Sequence, residues 1–246
     1  MITAYHRPQT LEEALALLAR PGTLPLGGGT ILSRDPAEVQ EVVDLQSLGL
    51  GSITRNGNEL RVGASATLQA LLESEHCPAS LAPAIKPEAP LNIRNSATLA
   101  GTLVSCDGRS PLAAALLAMD ARLEMAGGGI INLGAFLPEK PRGLILAIPI
   151  PINVKFSFHM VSRTPADKPI ICAALAQWAS GRTRLVVGGF GRLPSLAMDG
   201  TEAEGLESAA RNACHDSGDA FASAEYRSEA AAVLAHRCLA ALKGQA

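Results

Sequence analysis

This chain of 246 residues contains few aromatic residues, no closely spaced cysteines and no large excess of either charge. Phe, Trp and Tyr make up 3% of it, which argues against stacking platforms for bases or sugars. The formal net charge of -2 gives no electrostatic footprint for nucleic acid or an anionic membrane surface. No apolar run has the length of a membrane span, and the first residues lack a signal-peptide pattern.

The cysteines are few and far apart. No C-x-x-C pair occurs, so clustered thiolates for zinc or an iron–sulfur centre are not expected. No H-x-x-x-H spacing occurs either, and we predict no metal site. Scattered thiols are typical of a reducing compartment, and we expect a cytoplasmic protein. The cysteines are Cys77, Cys106, Cys172, Cys214 and Cys238.

Two glycine-bearing segments, Gly27-Gly28-Gly29-Thr30 and Thr98-Leu99-Ala100-Gly101-Thr102, are the most informative feature present. Glycine has no Cβ and tolerates positive φ, so such segments let backbone N–H groups approach a phosphate. Neither segment is a Walker A loop or the Rossmann G-x-G-x-x-G. Together they predict a dinucleotide held from both sides, although each alone is also explained as a turn.

Two charged residues near the second segment have two interpretations each. Asp107 is suited to pairing with a ribose hydroxyl or an amide, or it is an exposed turn carboxylate. Arg94 meets a phosphate, or it forms a surface ion pair. No nucleophile elbow and no evident carboxylate pair occur, so no catalytic residue is predicted.

Local patterns predict an α+β protein. Thr10, Thr67 and Ser110 have the spacing of helix N-caps, and Asn56-Gly57 predicts a hairpin turn. A glycine run at 127–129 predicts a second hairpin. The C-terminal part predicts three strands and then two alanine-rich helices, at residues 156–162, 170–178, 184–187, 203–213 and 223–242.

The order of these motifs resembles the FAD-binding medium subunit of molybdenum hydroxylases, the group that includes carbon monoxide dehydrogenase and xanthine dehydrogenase. The resemblance covers nearly the whole chain. It rests on the opening helix at 7–18, Gly27-Gly28-Gly29-Thr30-Ile31-Leu32, Val43-Asp44-Leu45, Ile93-Arg94-Asn95 followed by the second segment, and 222–227.

The resemblance implies a fold and a domain division. Residues 1–152 would form two α/β FAD-binding subdomains of the PCMH type, divided into 1–50 and 51–152. Residues 153–246 would form a domain like the C-terminal domain of the carbon monoxide dehydrogenase flavoprotein, with a three-stranded antiparallel sheet and helices.

The resemblance also implies a function. FAD would carry electrons from the [2Fe–2S] clusters of a small partner subunit to an external acceptor. The molybdenum cofactor would lie on a large partner subunit, and the complex would be a dimer of heterotrimers. The predicted FAD-binding residues are Gly27, Gly28, Gly29, Thr30, Ile31, Thr98, Ala100, Gly101, Thr102 and Asp107.

The chain departs from the family pattern at several FAD-binding positions. Ile31 replaces Asp or Ser, Ala97 and Ala100 replace glycines, Thr102 replaces Asn, and Pro111 replaces Asp. The segment 33–41 is also shorter than usual. These changes favour an alternative hypothesis, a structural subunit with weakened or lost FAD binding. A further alternative is a stand-alone flavin oxidoreductase, which would need its own acid/base residues.

Overall fold

The computed structural model describes residues 2–32 and 40–244. The strands are β1 Ala4–His6, β2 Thr23–Leu26, β3 Glu41–Asp44, β4 Ile53–Asn56, β5 Glu59–Gly63, β6 Arg122–Met125, β7 Ile130–Asn132, β8 Ile145–Pro151, β9 Val154–Val161, β10 Ile171–Trp178, β11 Thr183–Gly188 and β12 Ser195–Gly200. The helices are α1 Leu11–Leu18, α2 Leu68–Glu73, α3 Ala82–Ile85, α4 Leu91–Arg94, α5 Leu99–Ser105, α6 Pro111–Ala118, α7 Leu133–Glu139, α8 Leu206–Ala213 and α9 Ala224–Lys243.

The first sheet is parallel, with strand order β1-β3-β2. Its helix α1 begins at the predicted cap, because Thr10 Oγ1 accepts a hydrogen bond from the Glu13 N–H at 3.2 Å. Pro25 is tolerated in β2 because this strand lies at the sheet edge. The sequence also predicts a strand at 39–45, which is found as β3, and residue 39 lies outside the described residues. β2 leads directly into the first glycine segment.

The second sheet is antiparallel, with strand order β4-β5-β8-β6-β7. Both predicted hairpins are present. In the first, Asn56 pairs with Glu59, so the turn residues are Gly57 and Asn58, one position after the predicted pair. The shift follows from the backbone, because Gly57 has φ +59° and occupies the left-handed position of the turn.

The third sheet is antiparallel and has the strand order β12-β11-β10-β9, so it contains four strands where three were predicted. The added strand, β12, contains a Ser, an Asp and a Gly and lacks an alternating apolar pattern. It is held by pairing with β11 and by ion pairs. Buried Arg184 on β11 donates to Asp199 Oδ2 at 3.0 Å and to Asp120 Oδ1 at 2.9 Å.

Helix α6 is buried along its whole length. Its sequence, PLAAALLA, is apolar on every side, as expected of a helix enclosed by protein. One continuous core contains this helix together with side chains of the second and third sheets, among them Leu123, Phe156 and Val186. The second and third sheets therefore share one hydrophobic core.

The α+β class predicted from the sequence is confirmed, because a parallel sheet and an antiparallel sheet with their helices are followed by a C-terminal antiparallel sheet and two helices. Among the described residues, no helix combines the length and the apolar character needed to cross a membrane.

Candidate functional site

A cavity of about 510 Å³ lies where the two glycine segments meet. This volume is in the range of small-molecule and cofactor sites. Most of its lining side chains are apolar, and they come from strands β2 and β8, from helices α2, α4 and α5 with their adjoining turns, and from the loop after β9. The predicted site residues that line it are Gly27, Gly28, Gly29, Thr30, Ile31, Thr98, Ala100, Gly101 and Thr102.

The first segment packs closely against the side chain of Thr98, which begins the second segment, and against the backbone of Ser96 just before it. A Cβ atom added to Gly28 would lie 1.6 Å from the carbonyl oxygen of Ser96, and one added to Gly27 would lie 2.6 Å from Thr98 Oγ1. Only glycine permits such an approach. Gly27 and Gly28 thus have a structural role that the phosphate argument from the sequence did not include.

The first segment presents unused backbone donors. Within the described part of the chain, no hydrogen bond uses the N–H of Gly27, Gly28 or Thr30. Gly29 has φ +68°, which turns the backbone in this segment. N–H groups of consecutive residues in such a turn form a concave site for an anion.

The second segment is the start of helix α5 rather than a loop. Thr98 is its N-cap, and Thr98 Oγ1 accepts a hydrogen bond from the Gly101 N–H at 3.2 Å. The N–H groups of Leu99, Ala100 and Thr102 also donate within the chain, at 2.9 to 3.3 Å. This segment therefore contributes side chains and the positive end of a short helix to the cavity, and not unpaired amides.

Asp107 lies beside the cavity and does not line it. Its Oδ1 accepts a hydrogen bond from the Arg109 N–H at 2.9 Å and lies 3.5 Å from Lys168 Nζ. These contacts correspond to the turn interpretation of Asp107.

Arg94 does not line the cavity but forms hydrogen bonds to residues of and beside its wall. Its guanidinium donates to the carbonyl oxygens of Lys86 and Ala89 at 2.9 and 2.7 Å, and to Gln69 Oε1 at 3.0 Å. Among residues 2–32 and 40–244, no carboxylate forms an ion pair with it. Both interpretations made from the sequence miss this bracing role, because backbone acceptors leave no signal in the sequence.

Glu88 is a cavity residue that the sequence interpretation missed. It ends a single 3-10 turn, Lys86–Glu88, and is 8% exposed. Its Oε2 accepts hydrogen bonds from Ser110 Oγ at 2.7 Å and from the Leu112 N–H at 3.1 Å. Burial raises the pKa of the Glu88 carboxyl above its ordinary value, and the charge of Lys168 offsets part of that rise. A lone glutamate in an apolar, proline-containing stretch was the only available signal.

A second, polar cavity of about 360 Å³ lies on the other side of the first glycine segment. Tyr5 and Asp44 line it, and the Tyr5 hydroxyl donates a hydrogen bond to the buried Asp44 carboxylate. That hydrogen bond raises the pKa of Tyr5. Ser65 Oγ is buried there with no hydrogen-bond partner in the described structure. The glycine segment therefore separates an apolar cavity from a polar one.

The comparison with known families decides the assignment. Residues 1–153 match the family described as the FAD binding domain in molybdopterin dehydrogenase. The chain belongs to this family. The resemblance to FAD-binding medium subunits that the sequence motifs indicated is thereby confirmed, and with it the assignment to the oxidoreductase subunits of the molybdenum hydroxylase type.

The chain is similar to known proteins over most of its length. It is 27% identical to Escherichia coli protein YgfM over 236 residues, 92% of this chain and 91% of that protein. It is 28% identical to the carbon monoxide dehydrogenase medium chain of Afipia carboxidovorans over 200 residues, 72% of this chain and 69% of that protein. Its fold is similar to a chain of reconstituted CO dehydrogenase from Oligotropha carboxidovorans, with a TM-score of 0.82, 25% identity and coverage of 100% and 99%.

The structure shows the surroundings of two residues that depart from the FAD-binding family pattern, Ile31 and Pro111. Ile31 is 50% exposed at the cavity, and its side chain has no atom that could donate or accept a hydrogen bond. Pro111 begins the buried helix α6, and Glu88 supplies the carboxylate near this helix end through its bond from the Leu112 N–H. No group of His, Cys, Asp or Glu suited to a metal ion occurs among residues 2–32 and 40–244.

Proposed function

We propose that this chain binds FAD in the cavity between its glycine segments and carries electrons as the medium subunit of a molybdenum hydroxylase complex. One observation supports this most directly: the segments, far apart in sequence, line the same apolar cavity in a chain of the FAD-binding family. The unused N–H groups of the first segment fit an anionic pyrophosphate. The apolar lining fits a planar ring system.

Specific residues would divide the binding between them. Gly27, Gly28 and Thr30 would donate backbone hydrogen bonds to phosphate oxygens. Ala100 and Gly101, at the start of α5, would form a close wall that excludes water. Asp107 is not part of this proposal, because Arg109 and Lys168 already engage its carboxylate.

FAD supplies the redox chemistry when bound, and the protein positions it and tunes its electronic environment. In the proposed complex, the molybdenum cofactor lies on a large partner subunit and the [2Fe–2S] clusters on a small one. The assembly is a cytoplasmic dimer of heterotrimers that passes electrons to an external acceptor. Residues 1–152 form the FAD-binding domain and residues 153–246 the C-terminal domain.

A titration of the purified chain with FAD tests the proposal. We expect saturable binding, a flavin that remains bound during gel filtration, and absorbance at about 450 nm, as for oxidised flavin. The same measurement on the complex isolated with its partner subunits serves as the comparison. A chain and a complex that both remain free of flavin under saturating FAD would refute the proposal.

A second candidate function is a structural subunit that retains the fold and binds FAD weakly. The apolar, half-exposed Ile31 favours it, since a hydrogen bond to the ligand is lost there. The double variant Ile31→Asp, Ala100→Gly should then bind FAD more tightly, by about 0.5–1.5 kcal/mol for the hydrogen bond that Ile31→Asp restores, while Ala100→Gly removes a Cβ beside the ligand. Ile130→Asp, at an exposed position outside the cavity, is the matched control. Tight FAD binding by the wild-type chain would contradict this candidate.

A further inference from the structure

The two carboxylate oxygens of Glu88 have unequal surroundings. Oε2 accepts the hydrogen bonds from Ser110 Oγ and the Leu112 N–H, which fix the orientation of the carboxyl group. No hydrogen bond within the described structure uses Oε1, and its ion-pair partner, Lys168 Nζ, lies 3.9 Å away. That distance is too long for a hydrogen bond.

The position of the carboxyl group adds to this asymmetry. Glu88 lines the apolar cavity, and its side chain keeps 6% of its surface exposed. A buried carboxyl group whose second oxygen has no hydrogen-bond partner carries a desolvation cost. A ligand atom that shares a hydrogen bond with Oε1 would remove part of that cost.

Several charged or titratable groups surround Glu88. Lys168 lowers the pKa of Glu88 and Asp107 raises it, but burial is the largest effect and raises it. Neutral carboxylic acids in apolar sites serve elsewhere as hydrogen-bond donors. The thiols of Cys106 and Cys172 also interact electrostatically with Glu88, and Lys86 precedes it in the same 3-10 turn.

We propose that Glu88, in its neutral form, donates a hydrogen bond from Oε1 to an acceptor atom of the ring system bound in the cavity, so that ligand and proton bind together. This inference rests on the proposed function, because the carbonyl oxygens of a flavin ring are acceptors of this kind. Glu88 is therefore a ligand-positioning residue whose ionisation opposes FAD binding.

The proposal makes FAD affinity dependent on pH. Only the protonated chain binds well, so above the pKa of Glu88 in the free protein the affinity should fall by up to about tenfold per pH unit. Below that pKa the affinity should be constant. Glu88→Gln should bind FAD with the affinity that the wild type shows at low pH, and without this slope, because the amide donates and does not titrate.

FAD titrations from roughly pH 5 to pH 9, a range that includes the known pKa values of buried glutamates, test this expectation. Glu75→Gln is the matched control, because the Glu75 side chain is 88% exposed. It should retain the wild-type slope. Calorimetry of the wild type in two buffers of different ionisation enthalpy counts the protons taken up with FAD, and it needs no variant. On the sloping part of the profile we expect up to one proton per FAD.

The outcomes separate this inference from the proposed function. If the wild type binds FAD with no proton uptake at any pH across this range, or if Glu88→Gln keeps the wild-type slope, the role of Glu88 is wrong and FAD binding stands. If the wild type binds no FAD at any pH, both are overturned.

Discussion

Replacing Gly28 with alanine should abolish FAD binding and lower the free energy of unfolding by about 1–3 kcal/mol or more. The added Cβ would lie 1.6 Å from the carbonyl oxygen of Ser96, and therefore inside that atom. A backbone oxygen cannot move aside as the end of a flexible side chain does. The two segments must separate, and the wall of the cavity opens with them.

The matched control is Gly51→Ala, because no atom lies within 4 Å of the position where its Cβ would be added. Urea unfolding and FAD titration of both variants check the prediction. The Gly51 variant should retain wild-type affinity and stability. A Gly28 variant that binds FAD as the wild type does would mean that contact between the segments does not form the site.

Replacing Arg227 with methionine should lower the free energy of unfolding by about 3–5 kcal/mol. Arg227 lies near the start of α9 and is 0% exposed. Its guanidinium donates to both oxygens of Asp219 at 2.8 and 2.9 Å, to the Ile170 carbonyl at 2.9 Å and to the Ser217 carbonyl. Methionine keeps an apolar stem and offers no donor, so these acceptors lose their partner.

Arg211→Met is the comparison for Arg227, because it removes an arginine from an exposed ion pair with Glu229. Its unfolding midpoint should stay close to that of the wild type. If Arg227→Met does not fold, Arg227→Lys is measured in its place. This variant keeps the charge but cannot form the two parallel hydrogen bonds to Asp219. Equal midpoints for the Arg227→Met and Arg211→Met variants would contradict the assigned role.

Features that depend on neighbouring residues could be predicted from the sequence. Thr67 and Ser110 cap α2 and α6 as predicted, because their side-chain oxygens accept hydrogen bonds of 3.1 Å from the N–H groups of Ala70 and Ala113. The hairpins and the long helix α9 were also predicted. Such signals are local, because a cap or turn is specified within a few residues.

Features that depend on distant contacts could not be predicted. β1 contains three residues and is a strand because it pairs with β3. The second glycine segment was interpreted as a loop, although Thr98 caps a helix there. The sequence alone gives no indication that Glu88 is buried, because the groups that cover it come from other elements. Pairing and burial of this kind are set by the tertiary structure.

Because α6 is enclosed by residues from both parts of the chain, removing the C-terminal part would expose it. The family match ends at residue 153, yet Phe156, Ala174 and Val186 complete the core around this helix. Lys168, from the same later part of the chain, lines the cavity. A fragment ending at residue 153 would open the largest apolar core to water and leave the cavity without one wall. We therefore expect that the stretch matched by the family does not fold stably on its own.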